Sequence, residues 1–293
     1  MITTHSKIFI AGHKGMLGSS IFKTLKRKGY KRLITIDRNK LDLRNQSSVK
    51  KFFKVRKLDA VIVAAAKVGG IKSNMSYPAS FINDNLQIQT NIISSSYENK
   101  VKKLILFGSS CIYPKNLKKP IKENQILTGE LEKTNESYAV AKIAGIKMIE
   151  AFNKQYKTKY MCLMPCNLFG PNDNYDLQNS HFLPALIRKI FTASKKKNKK
   201  FVKLWGTGAP LREVLHVNEV AKACEFFLRK KTNQPLINIG STTEMSIRKY
   251  ANIVKEIIDP SVSIKFNNNK KIDGVKRKKL DISLANKYGW KTK

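Results

Sequence analysis

Short apolar runs recur through the first part of the sequence, each followed by a stretch of helical periodicity. The runs span residues 8–11, 33–36, 60–63, 104–107 and 160–164. Four or five apolar residues between polar turns read as strands buried on both faces. Strands joined through helices run parallel, and their crossovers are right-handed. The pattern predicts an α/β fold on a Rossmann-type, doubly wound parallel sheet.

Helical patterns run to about Lys28, over 47–54, over 77–99, and from near Ser137. Val68-Gly69-Gly70-Ile71 reads as a flexible turn. Beyond Met164 the pattern changes. Residues 165–179 are rich in Pro, Gly and Asn and read as a turn-rich exit. A helix is expected over 182–192, a strand over 201–205, a helix over 218–229, a strand over 236–239, and a helix to Ile258 capped by Ser246. We therefore expect residues 1–170 to form a nucleotide-binding domain, with a return to its sheet at 213–240. Residues 171–212 and 241–293 would form a smaller α+β substrate-binding domain.

The net charge is +37. The lysines are spread over nearly every segment, with one dense run, Lys195-Lys196-Lys197-Asn198-Lys199-Lys200, and no nucleic-acid motif accompanies them. A solvated basic surface around anionic small ligands is expected, with no specific nucleic acid bound. No apolar stretch reaches bilayer length, so no membrane partner is expected. The N-terminus lacks signal-peptide architecture. Four scattered cysteines make no disulfide scaffold and no metal set, which fits a reducing cytoplasm.

The first strand runs into Gly12-His13-Lys14-Gly15-Met16-Leu17-Gly18 and then a helix. Glycines let the backbone approach a pyrophosphate, and a helix N-terminus offers free N–H groups. The spacing is G-x-x-G-x-x-G; its position after an N-terminal strand makes a dinucleotide site the expectation. The second strand ends at Asp37-Arg38. An acid there favours the ribose hydroxyls of NAD, whereas an Arg accommodates the 2′-phosphate of NADP. Arg38 and Lys14 tilt the reading towards NADP(H), with NAD(H) left open; Asp37 and Arg38 could equally pair with each other. Ala64-Ala65-Ala66 leaves room for a cofactor beside the third strand.

Gly108-Ser109-Ser110-Cys111-Ile112-Tyr113-Pro114 follows the fourth strand, and Tyr138 and Lys142 stand four apart on the next helix face. A free tyrosine, with a pKa of about 10, is a poor acid at neutral pH. Lys142 and an oxidised nicotinamide would favour its phenolate. Tyr138 could then exchange a proton with a substrate oxygen that Ser109 orients.

This ordered set resembles the extended short-chain dehydrogenase/reductase superfamily, and within it the GDP-L-fucose synthases. The resemblance is carried by Ala11-Gly12-His13-Lys14-Gly15-Met16, the stretch from Ala64 to Ile71, the stretch from Gly108 to Pro114, and Glu136-Ser137-Tyr138-Ala139-Val140-Ala141-Lys142. Asn179-Ser180-His181, Trp205-Gly206-Thr207-Gly208 with Arg212-Glu213, Asp273-Gly274 and the stretch from Arg277 to Asp281 carry it further. It spans about Lys7 to Trp290.

The resemblance implies a reaction on GDP-4-keto-6-deoxy-D-mannose: epimerisation at carbons 3 and 5, then NADPH-dependent reduction of the 4-ketone to GDP-L-fucose. It makes Cys111 the base and His181 the acid of epimerisation, and gives the reduction to Ser109, Tyr138 and Lys142. A neighbouring Lys142 would favour the Cys111 thiolate. It places Gly12, His13, Lys14, Gly15, Met16, Leu17, Gly18, Arg38, Ala65, Lys142, Pro165, Asn167, Leu168 and His181 at the cofactor. It places Lys189, Trp205, Arg212 and Lys278 at the GDP-sugar, and implies a homodimer through the long helices.

Lys189 stands where an Arg is often found, which gives up bidentate geometry. The family continues past Tyr288-Gly289-Trp290 with a further helix, so a loosened substrate domain is expected of a chain that stops at Lys293. Core filling would account equally well for Trp205. Cys162, Cys166 and Cys224 read as packing residues, and His216 as structural. Two other readings remain: another NAD(P)-dependent nucleotide-sugar reductase or 4-epimerase, and a non-catalytic RNA-binding relative.

Overall fold

The structure, a computed structural model, describes residues 1–117, 119–197, 200–267, 273 and 275–292. Asn198, Lys199 and Gly274, from two of the stretches above, lie outside the described residues. The apolar runs form strands β1 (Lys7–Ala11), β2 (Arg32–Ile34), β3 (Ala60–Val63), β4 (Lys103–Phe107) and β5 (Tyr160–Pro165). Between them lie α1 (Met16–Arg27), α2 (Gln46–Arg56), α3 (Ile71–Ser76), α4 (Pro78–Glu98) and α5 (Glu136–Tyr156). Helix α2 starts where the Asn45 side chain accepts from the Ser48 N–H at 2.9 Å. Proline opens α4, where its missing N–H costs nothing.

The second half adds β6 (Asn167–Phe169), α6 (Phe182–Ser194), β7 (Phe201–Leu204), β8 (Leu211–Arg212), β9 (Val214–His216) and α7 (Val217–Arg229). Then come β10 (Leu236–Ile239), β11 (Met245–Ser246), α8 (Ile247–Ile258), β12 (Ser263–Phe266), β13 (Arg277–Lys278) and α9 (Ser283–Lys287).

One six-stranded sheet has the order β10-β5-β4-β3-β1-β2, with every neighbouring pair parallel. The chain runs outward from β1 to β2, then returns to β3 on the other side of β1. That reversal opens a crevice at the carboxyl ends of β1 and β3, where α/β sheets bind ligands. Strand β10 closes the sheet's other edge, parallel to β5. Strand β2 is shorter than the run over 33–36 predicts: an edge strand pairs on one side only, and Ile36 turns out to line the crevice.

Two other expectations are corrected. Part of the turn-rich exit is strand β6, because β9 offers it a parallel partner. The turn at 68–71 leads directly into a short helix, α3, before α4 begins.

A second buried cluster lies away from the sheet. It packs Leu186 and Ile190 of α6 and Tyr250 and Val254 of α8 against Val202, Leu204 and Phe266 of the β7–β12 pair. Glu213, fully buried, ties this region to the sheet: its carboxylate accepts the Leu280 N–H at 2.9 Å and the Ser241 N–H.

Candidate active site

The glycine loop fits against β3 at the crevice. Gly12 has φ +82°, in the left-handed region, and a Cβ there would lie 2.6 Å from the Ala65 amide nitrogen. Gly18 packs under the loop, where a Cβ would meet the Gly12 carbonyl oxygen at 2.1 Å. Only bare backbone allows either approach. Gly15 caps α1 without a side-chain hydrogen bond, and the first turn holds no acid. The loop therefore presents helix N–H groups, a cradle for an anion.

A cavity of about 730 Å³ runs from this loop to the end of β4. His13, Lys14, Gly15, Met16, Leu17, Arg38 and Ala65 line one end; Ser109, Tyr138, Lys142, Pro165, Asn167, Leu168 and His181 line the other. Gly18 is not in the lining; its place is the helix–loop contact beneath. Asp37 pairs not with Arg38 but with Lys14 at 2.8 Å and His13 at 3.4 Å, and the Lys14 bond holds its carboxyl below the usual range. Arg38 is exposed at the lining and makes no ion pair among the described residues.

At the other end, Lys142 is buried at 3% exposure and donates to the Phe107 carbonyl at 2.9 Å. Burial lowers its pKa to about 8. Its Nζ lies 5.7 Å from the Tyr138 ring centroid. Ser109 is within hydrogen-bonding reach of both the Tyr138 phenol and the Cys111 thiol. Ser109, Cys111, Tyr138 and Lys142 thus meet at one strand end.

Burial acts against the expected phenolate and thiolate, raising both Tyr138 and Cys111. Lys142 is turned to the Phe107 carbonyl, with its Nζ over the Tyr138 ring. For Cys111 the opposing charge is chiefly Lys278, then the Ser109 hydrogen bond, then Lys142. Lys278, read from sequence with the GDP-sugar, therefore sits close enough to bear on the thiol. Burial lowers its own pKa.

His181 caps α6 at the rim of the cavity. Solvent reaches it, yet the surrounding protein lowers its pKa, with Asp173 acting the other way. Asp173 was not singled out by the sequence, nor was the network in which Arg44 bonds Asp42 and Asp84 while Lys67 pairs with Asp84 at 3.3 Å. These charges line the same cavity. The signal was there: Lys67 follows the three alanines, and Asp42 precedes Leu43 at the next turn.

The GDP-sugar set lies outside this lining. Trp205 is 73% exposed, which removes the core-filling reading, and Lys189 Nζ lies 5.0 Å from its ring centroid. Gly206 (φ +73°) follows, and Asp273 accepts from the Thr207 N–H and hydroxyl at 2.7 Å, fixing the turn. Arg212 donates to the Leu211 and Val275 carbonyls at 2.8 Å and is paired in register with Lys278. Cys162, Cys166 and Cys224 are buried and free, and Cys166 also lines the cavity. His216 caps α7, accepting from the Asn218 N–H at 3.3 Å.

Residues 8–240 match the model of the NAD dependent epimerase/dehydratase family. The chain is 48% identical to GDP-L-fucose synthase 1 of Arabidopsis thaliana, over 98% of this chain and 88% of that protein. It is 42% identical to GDP-L-fucose synthase of Escherichia coli, over 97% and 91%. It superposes on the GDP-mannoheptose C4 reductase of Campylobacter jejuni with NADP bound with a TM-score of 0.90 and 36% identity, over 100% and 95%. With its glycine cradle, its strand-end Ser109 and its Tyr138–Lys142 pair, the chain belongs to the NAD dependent epimerase/dehydratase family.

Proposed function

We propose that this protein converts GDP-4-keto-6-deoxy-D-mannose to GDP-L-fucose in two stages on one site. The observation that carries the reading is the meeting of Ser109, Cys111, Tyr138 and Lys142 at the end of β4, with His181 on the rim of the cavity that Ser109, Tyr138 and Lys142 line and Cys111 buried beside Ser109 behind that lining. Relatives at 42–48% identity bear the name of that activity.

The cradle at Gly12 and Gly18 and the acid-free start of α1 fit a dinucleotide pyrophosphate. Arg38 and Lys14 suit the 2′-phosphate of NADP(H), since Arg38 makes no ion pair among the described residues and Asp37 is already held by Lys14. NADPH supplies the hydride for the 4-ketone.

In the first stage Cys111 takes the proton from carbon 3 or carbon 5, and His181 returns one on the opposite face. The 4-keto group makes those protons acidic and carries the enolate charge. Cys111 must first lose its own proton, which the cations of Lys278 and Lys142 favour against burial. His181 must carry a proton, which Asp173 favours. In the second stage Ser109 orients the carbonyl oxygen and Tyr138 gives it a proton. Lys142, held on the Phe107 carbonyl beside the Tyr138 ring, would hold the nicotinamide ribose of a bound cofactor. Trp205 offers a flat face to the guanine side, and Lys189, Arg212 and Lys278 suit the diphosphate.

The reading extends to organisation. Residues 1–170 with 213–240 form the cofactor domain, and 171–212 with 241–293 the substrate domain. Two copies pair through α4 and α5, where Tyr97 and Tyr156 stack at 4.1 Å on the partly exposed outer face. Four free cysteines suit a reducing cytoplasm, and among the described residues no helix is long and apolar enough to cross a membrane.

Incubation with GDP-4-keto-6-deoxymannose and NADPH in heavy water tests the first stage. Deuterium at carbons 3 and 5 of the product is expected. Reduction without it would instead favour a plain C4 reductase, the activity named for the Campylobacter relative. Tight RNA binding at physiological salt without NADPH binding would favour the non-catalytic reading.

A further inference from the structure

His181 lies on a loop with little secondary structure, yet an acid must be placed to within about 1 Å, since a misplacement of that size costs about a hundredfold in rate. On its C-terminal side the first turn of α6 holds the His181 carbonyl, through the Ala185 N–H at 3.1 Å; the residues just before it are held from outside the loop as well. The Gly70 N–H donates to the Asn179 carbonyl at 2.8 Å, two residues before His181. The approach is closer than any side chain allows: a Cβ at Gly70 would lie 2.9 Å from the Ser180 carbonyl oxygen and 3.3 Å from that of Asn179. Gly70 has φ −68°, which every residue adopts, so glycine is needed here for space and not for conformation.

The same turn is fixed from the other side. A Cβ at Gly69 would meet the Phe81 ring and the Ser73 hydroxyl at 3.0 Å, and Phe81 packs edge-on to Tyr138 with centroids 6.2 Å apart. The turn therefore touches both the segment that carries His181 and the ring that backs Tyr138.

We propose that Gly70 is a positioning residue: its backbone is the seat that holds Asn179-Ser180-His181 at the distance epimerisation requires. Gly70 does not line the cavity, and it acts through His181. The inference rests on His181 being the epimerisation acid.

The test compares wild type with Gly70→Ala, His181→Asn and the double variant, using NADPH and the 4-keto substrate. The readout is the fraction of reduced sugar that retains its original configuration at carbons 3 and 5. Gly70→Ala should raise that fraction at least about tenfold, with NADPH affinity near wild type, and the double variant should add nothing to His181→Asn. Asp176→Ala gives an independent arm should Gly70→Ala fold poorly. Exposed Asp176 braces the same loop, accepting the Asn179 N–H at 3.0 Å and its side-chain amide at 2.8 Å. Its removal should shift the product in the same direction. Full inversion in Gly70→Ala, or an added defect on top of His181→Asn, would overturn the positioning role. Full inversion in His181→Asn would remove the acid role on which it rests.

Discussion

The Lys142 ammonium donates to the Phe107 carbonyl at 2.9 Å, joining the second turn of α5 to the last residue of β4. The bond fixes the helix that carries Tyr138 against the strand end that carries Ser109. Burial holds the lysine at a pKa of about 8, below its value in an unfolded chain. Its charged form therefore costs stability below about pH 8, and that cost fades as the pH rises towards the unfolded value. Lys142→Met replaces a buried charge by an apolar chain of similar length, so the urea midpoint should hold or rise. Ketone reduction should fall by about 10²–10⁴-fold. Single-turnover NADPH oxidation beside urea unfolding checks both; a fall in the midpoint would make Lys142 a structural residue.

Arg38 and Asp37 are neighbours with separate partners, since Asp37 is engaged by Lys14 and His13. Arg38→Ala should weaken NADPH binding by about ten- to a hundredfold, the worth of a charged hydrogen bond, and leave NADH binding nearly unchanged. Fluorescence titration with the two cofactors decides it. An equal loss for both would take Arg38 away from the 2′-phosphate.

The sheet was legible because strands buried on both faces leave unbroken apolar runs, and those at 60–63 and 104–107 are strands in the structure. Strand β6 was not, because Asn167-Leu168-Phe169 sits between prolines and pairs only with a segment 47 residues further on, Val214↔Asn167 at the start of β9. Gly12, Ser109, Tyr138 and Lys142 could be read from spacing, since one strand end and one helix face place them. Spacing alone gave Cys111 and His181 no roles. They lie about seventy residues apart, and only tertiary packing brings His181 to the cavity that ends at β4. The charge state of Cys111 was hidden for the same reason: Lys278, its strongest opposing charge, arrives from β13.

Two glycines with left-handed backbone separate strain from crowding. Gly12 (φ +82°) faces the Ala65 nitrogen, whereas a Cβ on Gly29 (φ +81°) would meet nothing within 4 Å. Gly29→Ala should cost only backbone strain, about 1 kcal/mol. Gly12→Ala adds overpacking and should cost about 3 kcal/mol or more and abolish NADPH binding. Urea unfolding of the two variants measures the gap. Equal costs would mean that the Gly12–Ala65 approach relaxes freely.

Trp205 is a large apolar side chain left 73% exposed, with Lys189 beside it. Little packing is lost when it is removed, so Trp205→Ala should change stability by no more than about 0.5 kcal/mol. The KM for the GDP-sugar should rise at least about tenfold with kcat little changed, the signature of binding shared by ground and transition states. A fall in kcat alone would place Trp205 at the reacting carbons instead.

Glu213 sets a pH dependence of stability with an uncommon sign. Burial raises its carboxyl from 4.5 to about 7, although the Leu280 and Ser241 N–H groups oppose the shift. The folded chain therefore binds more protons than the unfolded chain between those values. The stabilisation is fully present below about pH 4.5 and is lost as the pH rises through about 7. A shift of this size corresponds to about 3 kcal/mol. Glu213→Gln cannot titrate, so its stability curve should lack this fall, and variant and wild type should converge at acid pH apart from the loss of one backbone acceptor. Urea unfolding at steps from pH 4.5 to 8 measures the difference. If wild type and Glu213→Gln run parallel across that range, the carboxyl is ionised in the fold and its two N–H donors outweigh its burial.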